Sequence, residues 1–330
     1  MRELTYREAI REALREEMQR DKNVFLFGED VATAGGVFKV TEGLLTEFGP
    51  ERIFDTPLSE SALVGAAVGA SLMGMRPVVE VMFADFTTVA MDALVNHAAK
   101  MHYLYGGELS APLVVRMAYG AGPRWGSHHT QSVESWLANV PGLTIVMPST
   151  AGDAKGLLKA AIRTPNPVIF LEHKLLYGKR GEVPQADYVV PIGKADVKRE
   201  GTDVTIVATG LMVDRALGAA RTLAQEGISA EVIDPRTLAP LDVKTIVDSV
   251  KKTGRLVLVD QAPRHASASI IIAGEIAEQG FKYLKAPVKM ITALDTSVPY
   301  SETLESYVLP SEQKIVNAVK SVLAMQAAAV

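Results

Sequence analysis

The sequence predicts an α/β fold made of two parallel-sheet domains. Three observations carry that prediction. Short apolar runs alternate with helix-period segments along most of the chain, the pattern of parallel strands covered on both faces by helices. Asn23–Gly28, Pro77–Ala84, Pro112–Met117, Leu143–Met147 and Pro167–Leu171 make one block of strands, and Asp203–Ala208, Ala230–Asp234, Arg255–Asp260 and Val288–Ile291 make a second. Between the blocks, from Glu172 to about Lys198, the periodicity fades around Gly178, Gly181, Pro184 and Pro191, as in a linker. The division is therefore 1–180, a linker at 181–200, and 201–330.

The helices fall between these strands. Thr5–Arg20 has helix period, and Thr5 with Glu8 forms a capping box. Glu29 and Asp30 end the first strand, where open α/β sheets place ligands. Solvated loop charge is the alternative reading of that pair, and the one favoured. Ala34-Gly35-Gly36 is a turn, and Thr41–Phe48 a helix. Asp85–Leu104 reads as one long helix carrying Asn96, His97 and Lys100, with His97 as a packing residue. Ala151–Arg163 completes the first block; Val213–Glu226, Asp242–Lys251 and Ser267–Gln279 are the helices of the second. Thr209-Gly210 follows a strand, but without a GxGxxG motif a dinucleotide site there is weakly supported.

Composition narrows the function classes. The chain has 330 residues, 48% hydrophobic and 22% charged, ordinary for a globular protein. A net charge of −4 points to neither nucleic acid nor an anionic membrane surface. With no cysteine, disulfides, thiolate catalysis and cysteine-held iron–sulfur clusters are excluded. The charged start MRELTYREAIREAL is not a secretory signal, and no apolar run reaches the roughly 20 residues of a membrane helix. The expected location is the cytoplasm.

Asp55–Met91 organises the rest. Thr56-Pro57-Leu58-Ser59 leads from a turn into a helix that opens at Glu60, with Ser59 as a candidate cap. Glu60 is either a first-turn acid complementing the helix dipole or a carboxylate in apolar surroundings, near Leu58, Met82 and Phe86, that bonds a heterocyclic nitrogen. Gly65 and Gly69 lie four apart inside the helix, where each costs about 1 kcal/mol against alanine. A close contact should offset that cost, either within the domain or with a helix of another subunit. Farther on, the glycine-rich loop AYGAGPRWGSHHTQS at a strand end suits a functional loop. Its adjacent His128 and His129 point in different directions, so a shared metal is not indicated.

Together, PLSE, VGAAVGA and VEVMFADF resemble the β subunit of the thiamine-diphosphate-dependent decarboxylating component of 2-oxo acid dehydrogenase complexes. That family includes pyruvate, branched-chain 2-oxo acid and acetoin enzymes, and the resemblance runs from Leu4 to about Ala318. It implies a pyrimidine-binding thiamine-diphosphate domain followed by a transketolase C-terminal-like domain. By the same resemblance Glu60 bonds the pyrimidine nitrogen of thiamine diphosphate and favours its imino form, while Leu58, Met82 and Phe86 pack the ring. His129, in the family's His-Ser/Thr-Gln position, serves as acid/base for the substrate or for transfer to a lipoyl arm. The main-chain carbonyls of Leu113, Ala161, Ile162, Thr164 and Asn166 match a potassium site of some members; ordinary turn hydrogen bonds are the equal alternative. Gly65 and Gly69 match the β–β contact.

The family's diphosphate-binding partner carries Gly-Asp-Gly and a later Asn, which this chain lacks. The resemblance therefore implies an α subunit that holds the Mg2+ and the diphosphate, an α2β2 heterotetramer, and a lipoyl acyltransferase component as acceptor. Glu172–Tyr177 and Pro148-Ser149-Thr150 resemble pyruvate and acetoin members more than others. Branched-chain specificity, half of a split transketolase, and a scaffold subunit without turnover are the alternatives.

Overall fold

The computed structural model describes residues 1–325. They divide into two compact units: Met1–Tyr119 with Trp136–Ile192, and Gly120–Ser135 with the residues from Gly193 onward.

The first unit opens with β1 (Arg2–Thr5) and α1 (Tyr6–Arg20). The capping box forms: Glu8 N–H donates to Thr5 Oγ1 at 3.3 Å, and Thr5 N–H donates to the Glu8 carboxylate at 2.7 Å. There follow β2 (Val24–Gly28), α2 (Leu44–Phe48), β3 (Ile53–Asp55), α3 (Glu60–Leu72) and β4 (Arg76–Val81). Next come α4 (Thr87–Asp92), α5 (Met101–Leu104), β5 (Val114–Tyr119), α6 (Glu134–Ala138), which spans the division between units, and β6 (Thr144–Val146). The unit closes with α7 (Ala151–Arg163), β7 (Val168–His173) and β8 (Arg180–Val183). Its sheet runs β6-β7-β5-β4-β2-β3, all parallel, and β8 pairs antiparallel with β1.

The chain leaves β2 to one side to form β3, then returns past it to form β4. Such a reversal opens a crevice at the C-terminal strand ends. Gly28, the last residue of β2, pairs with Asp55 on one side and Glu80 on the other. A Cβ there would lie 2.6 Å from the Glu80 carbonyl oxygen, so only glycine fits between its neighbours.

Arg116 on β5 is 1% exposed. Its Nη1 donates to Glu80 of β4 at 2.5 Å, and Nε and Nη2 grip Glu172 of β7, each at 2.7 Å. The Tyr177 hydroxyl donates to Glu172 at 2.8 Å. Burial pushes the Glu172 carboxyl up against the opposing pull of Arg116. Burial likewise disfavours the arginine's charge, but the two carboxylates outweigh it and keep Arg116 protonated.

Several elements differ from the sequence reading. The helix expected at Thr41–Phe48 begins only at Leu44, because Gly43 takes a left-handed conformation. The helix expected at Asp85–Leu104 is interrupted by a π-helical stretch at Ala93–Ala98. His97 on that stretch is exposed and lies 3.4 Å from Asp92, so it is not a packing residue. β1 and β8 are short and charged, which hid them from a periodicity argument.

The second unit contains β9 (Asp196–Arg199), β10 (Val204–Ala208), α8 (Leu211–Gln225), β11 (Ala230–Asp234) and β12 (Thr237–Ala239). It continues with α9 (Val243–Thr253), β13 (Leu256–Pro263), α10 (Ala268–Gln279), β14 (Lys289–Ala293), α11 (Glu302–Val308) and α12 (Glu312–Ala324). Its sheet order is β14-β13-β10-β11-β9, with only β9 antiparallel. Val207, Ile233, Ile246, Val250, Leu258, Ile272 and Ile276 form its core on one face. Among the described residues, no helix is long and apolar enough to cross a membrane.

Replacing Arg116 by Met would leave Glu80 and Glu172 buried without their cation. Unfolding free energy should fall by about 3–5 kcal/mol at neutral pH. Part of the loss should return on acidification, as those carboxyls take up protons; chemical denaturation at two pH values measures both effects.

Candidate functional site

Three strand ends meet at the crevice of the first unit: Glu29 after β2, the segment from Thr56 to Glu60 after β3, and Met82 after β4. Glu29 is 4% exposed, so it is not solvated loop charge. It accepts the backbone N–H of Ser59, while its Oε1 is buried with no hydrogen-bond partner. Burial raises its carboxyl above the ordinary range, and the nearby charge of Glu60 raises it further. Burial and a neighbouring carboxylate both favour the protonated form of Glu29.

Glu60 is the first residue of α3 and is half-buried. Ser59 holds the N-cap position, but its side chain makes no capping hydrogen bond. The Glu29 carboxylate bonds the Ser59 N–H at that helix end instead, where the dipole favours an anion. Beside it, burial resists ionisation of Asp55, but the backbone N–H groups of Ala32 at 2.7 Å and Thr33 at 3.1 Å outweigh that and hold it low.

Met82 and Phe86 are half-buried at this sheet end, and the Phe86 ring meets Phe83 edge-on at 5.8 Å. Leu58 is 80% exposed and lines no apolar wall within this chain. Sequence reasoning missed Lys174, which is buried with its ammonium 5.5 Å over the Phe83 ring. Burial pushes Lys174 down to about 8, with Asp85 opposing. The cue was its place directly after β7, at a strand end.

His129 is half-buried and His128 exposed, both on the glycine-rich loop that belongs to the second unit. Glu60 and His129 thus sit in different units. The loop closes on itself, with Gly120 N–H donating to the Gln131 carbonyl at 3.2 Å and the Thr130 hydroxyl to the Gly126 carbonyl. Gly126 has φ +71°, and a Cβ there would fall 2.3 Å from the Tyr300 ring.

Four of the five carbonyls considered for potassium, those of Leu113, Ala161, Ile162 and Thr164, accept hydrogen bonds from the protein. Arg76 Nη1 donates to Ile162 O at 2.8 Å and Thr164 O at 3.2 Å. Leu113 O accepts from Val168 N–H at 2.9 Å, and Ala161 O from Thr164 N–H at 3.3 Å. With a guanidinium at this turn, these four carbonyls fit hydrogen bonding better than a further cation.

On α3, Leu63, Val64, Ala67 and Val68 are buried, while Ser61, Ala62, Gly65, Ala66 and Gly69 form an exposed stripe of small residues. A Cβ at Gly65 or Gly69 would meet nothing within 4 Å, so no contact among the described residues accounts for these glycines.

Comparison with known proteins follows the same division. Residues 2–179 match the family described as "Transketolase, pyrimidine binding domain", and residues 193–315 match "Transketolase, C-terminal domain". The chain is 47% identical over 323 residues to "Pyruvate dehydrogenase E1 component subunit beta" of Rhizobium meliloti, covering 98% of this chain and 70% of that protein. It is 47% identical to "Acetoin:2,6-dichlorophenolindophenol oxidoreductase subunit beta" of Cupriavidus necator, covering 98% of each. It is 48% identical to "2-oxoisovalerate dehydrogenase subunit beta" of Bacillus subtilis, covering 94% of this chain and 96% of that one. A solved structure titled "Split gene transketolase, inactive beta4 tetramer" superposes with a TM-score of 0.81 at 25% identity, covering 98% of this chain and 99% of its own.

A carboxyl raised in the folded chain adds stability that is complete below its ordinary value of 4.5 and is lost as pH rises through the folded value. Glu29→Gln has no such proton to lose. Its stability relative to the unmodified chain should therefore improve between about pH 4 and about pH 7. Urea titrations across that window should show the rise; a flat difference would refute the raised Glu29 carboxyl.

Proposed function

We propose a function from one premise: this chain belongs to the family of E1-component β subunits of 2-oxo acid dehydrogenases, with a transketolase pyrimidine-binding domain followed by a transketolase C-terminal domain. With an α subunit it decarboxylates or cleaves its substrate, of the pyruvate or acetoin type, and passes the acyl group to the lipoyl arm of an acyltransferase. The observation that carries this reading is the pair Glu29 and Glu60 at the strand-end crevice, one acid holding a buried oxygen that no protein group satisfies.

When bound, thiamine diphosphate supplies an acidic carbon that adds to a carbonyl and takes up the electrons left by a departing carboxylate. Glu60 would hydrogen-bond the pyrimidine nitrogen and favour its imino form, and the unsatisfied oxygen of Glu29 lies in the same crevice. Met82 and Phe86 would pack the ring and exclude water. Leu58, exposed here, would close over it only against a second chain. His129 would hold or move the proton at the substrate oxygen. The Mg2+ and the diphosphate fall to the α subunit, because no Gly-Asp-Gly occurs in this sequence. No step is assigned to potassium. The small-residue stripe of α3 is suited to a second copy of the same helix, and an α2β2 assembly would bury it.

Reconstitution with a candidate α subunit tests the catalytic reading. Thiamine-diphosphate-dependent reduction of an artificial acceptor should appear with pyruvate or acetoin, and 2-oxoisovalerate in parallel sets the specificity. Glu60→Gln should lower the rate about 10²–10⁴-fold. An undiminished rate would leave a scaffold subunit, and sugar-phosphate transfer would leave a split transketolase. Separately, Gly65→Leu with Gly69→Leu should weaken self-association about tenfold or more in sedimentation, with the far-ultraviolet spectrum of the chain unchanged, since a Cβ at either position has no neighbour within 4 Å among the described residues and both lie on the exposed face of α3.

A further inference from the structure

The second unit repeats the winding of the first. Its chain runs from β10 to β11 on one side and returns to β13 on the other. The crevice at those strand ends is where an open α/β sheet holds a ligand. In this unit, side chains at and near the end of β13 hold the loop Gly120–Ser135 instead. Ala121 N–H donates to Gln261 Oε1 at 2.9 Å, and Gln261 Nε2 donates back to the Ala121 carbonyl at 3.2 Å. On α11, Glu305 is buried, and its Oε1 accepts the N–H groups of Gly122 at 2.9 Å and Arg124 at 3.3 Å.

At the far end of the loop Glu134 is 0% exposed, and neither carboxyl oxygen has a donor among the ordinary protein groups. What faces it is another buried carboxyl, Asp260 of β13, which accepts the N–H groups of Ala262 at 3.1 Å and Ser269 at 3.3 Å. Burial, then the charge of Asp260, pushes Glu134 well up. The proton therefore stays on Glu134, which donates it to Asp260.

We propose that Glu305, Gln261 and the Glu134–Asp260 pair are positioning residues: the first two hold one end of the glycine-rich loop through its backbone, the carboxyl pair holds the other through the Glu134 side chain, and together they fix where His129 stands. The inference rests on the acid/base reading of His129. It adds that the second domain sets the geometry of that group, using the crevice where related sheets bind ligands.

Hydrogen exchange on the chain and steady-state kinetics of the reconstituted enzyme test it together. Glu305→Leu should speed exchange at the Gly122 and Arg124 amides about tenfold or more. It should lower kcat about tenfold with KM within about twofold. Glu305→Gln keeps an oxygen acceptor and should restore both to within about threefold. Unchanged exchange in Glu305→Leu, or equal damage in Glu305→Gln, would overturn the clamp. Should Glu305→Leu not fold, Gln261→Met carries the same test at the Ala121 amide. His129→Asn checks the underlying reading separately: intact turnover in that variant removes the acid/base role, while the exchange data still decide whether the loop is clamped.

Discussion

The guanidinium of Arg116, buried between Glu80 and Glu172, is the constraint on which the strand-end site depends. It bridges three neighbouring strands of one parallel sheet. A cation in that position is tolerable only with its full set of acceptors, because an unpaired buried charge costs far more than the pair gains. The network therefore fixes β4, β5 and β7 in one register. That register sets Gly28 against the Glu80 backbone and brings the ends of β2, β3 and β4 together.

From that register follows the contrast between two acids five residues or fewer from a strand end. Asp55 is kept ionised by backbone donors, whereas Glu29 lies beside a second carboxyl with one oxygen unsatisfied. A buried oxygen without a donor is expensive for a chain to keep. It makes sense where a bound group supplies the missing partner, which is why this crevice supports the reading of a heterocycle-binding site. The helix that starts at Glu60 is apolar on its buried face and bare on its small-residue face. One element thus carries both the candidate catalytic acid and the surface suited to a second copy.

The two units use one winding pattern for different ends. In the first, the reversal of strand order gathers acids and aromatic rings. In the second, it presents Asp260 and Gln261 to a loop that lies in sequence between β5 and α6. A division of the chain by sequence position alone cannot place that loop, since its hydrogen bonds go to residues more than a hundred positions away.

Much was legible in the linear chain. Alternating apolar runs mark parallel strands because both faces of such a sheet are covered, and Thr5 with Glu8 marks a helix start because their bonds are local. Glu60, Met82, Phe86 and His129 were singled out chiefly by resemblance, and their roles stay part of the proposal. What local pattern could not decide was burial and partnership. Glu29 read as solvated charge and is buried; Ser59 holds the N-cap position without a capping bond; two of the potassium carbonyls accept from Arg76; Lys174 gave only its place at a strand end, and the Glu134–Asp260 pair gave no local signal at all. Their states are set by desolvation and by groups far away in sequence. Periodicity and capping report the free energy of a few adjacent residues, so the sequence by itself determined the elements and the fold class. The protonation of the acids, the open face of α3 and the anchoring of the His129 loop depend on which distant groups share a low-dielectric interior, and only the tertiary structure decided those.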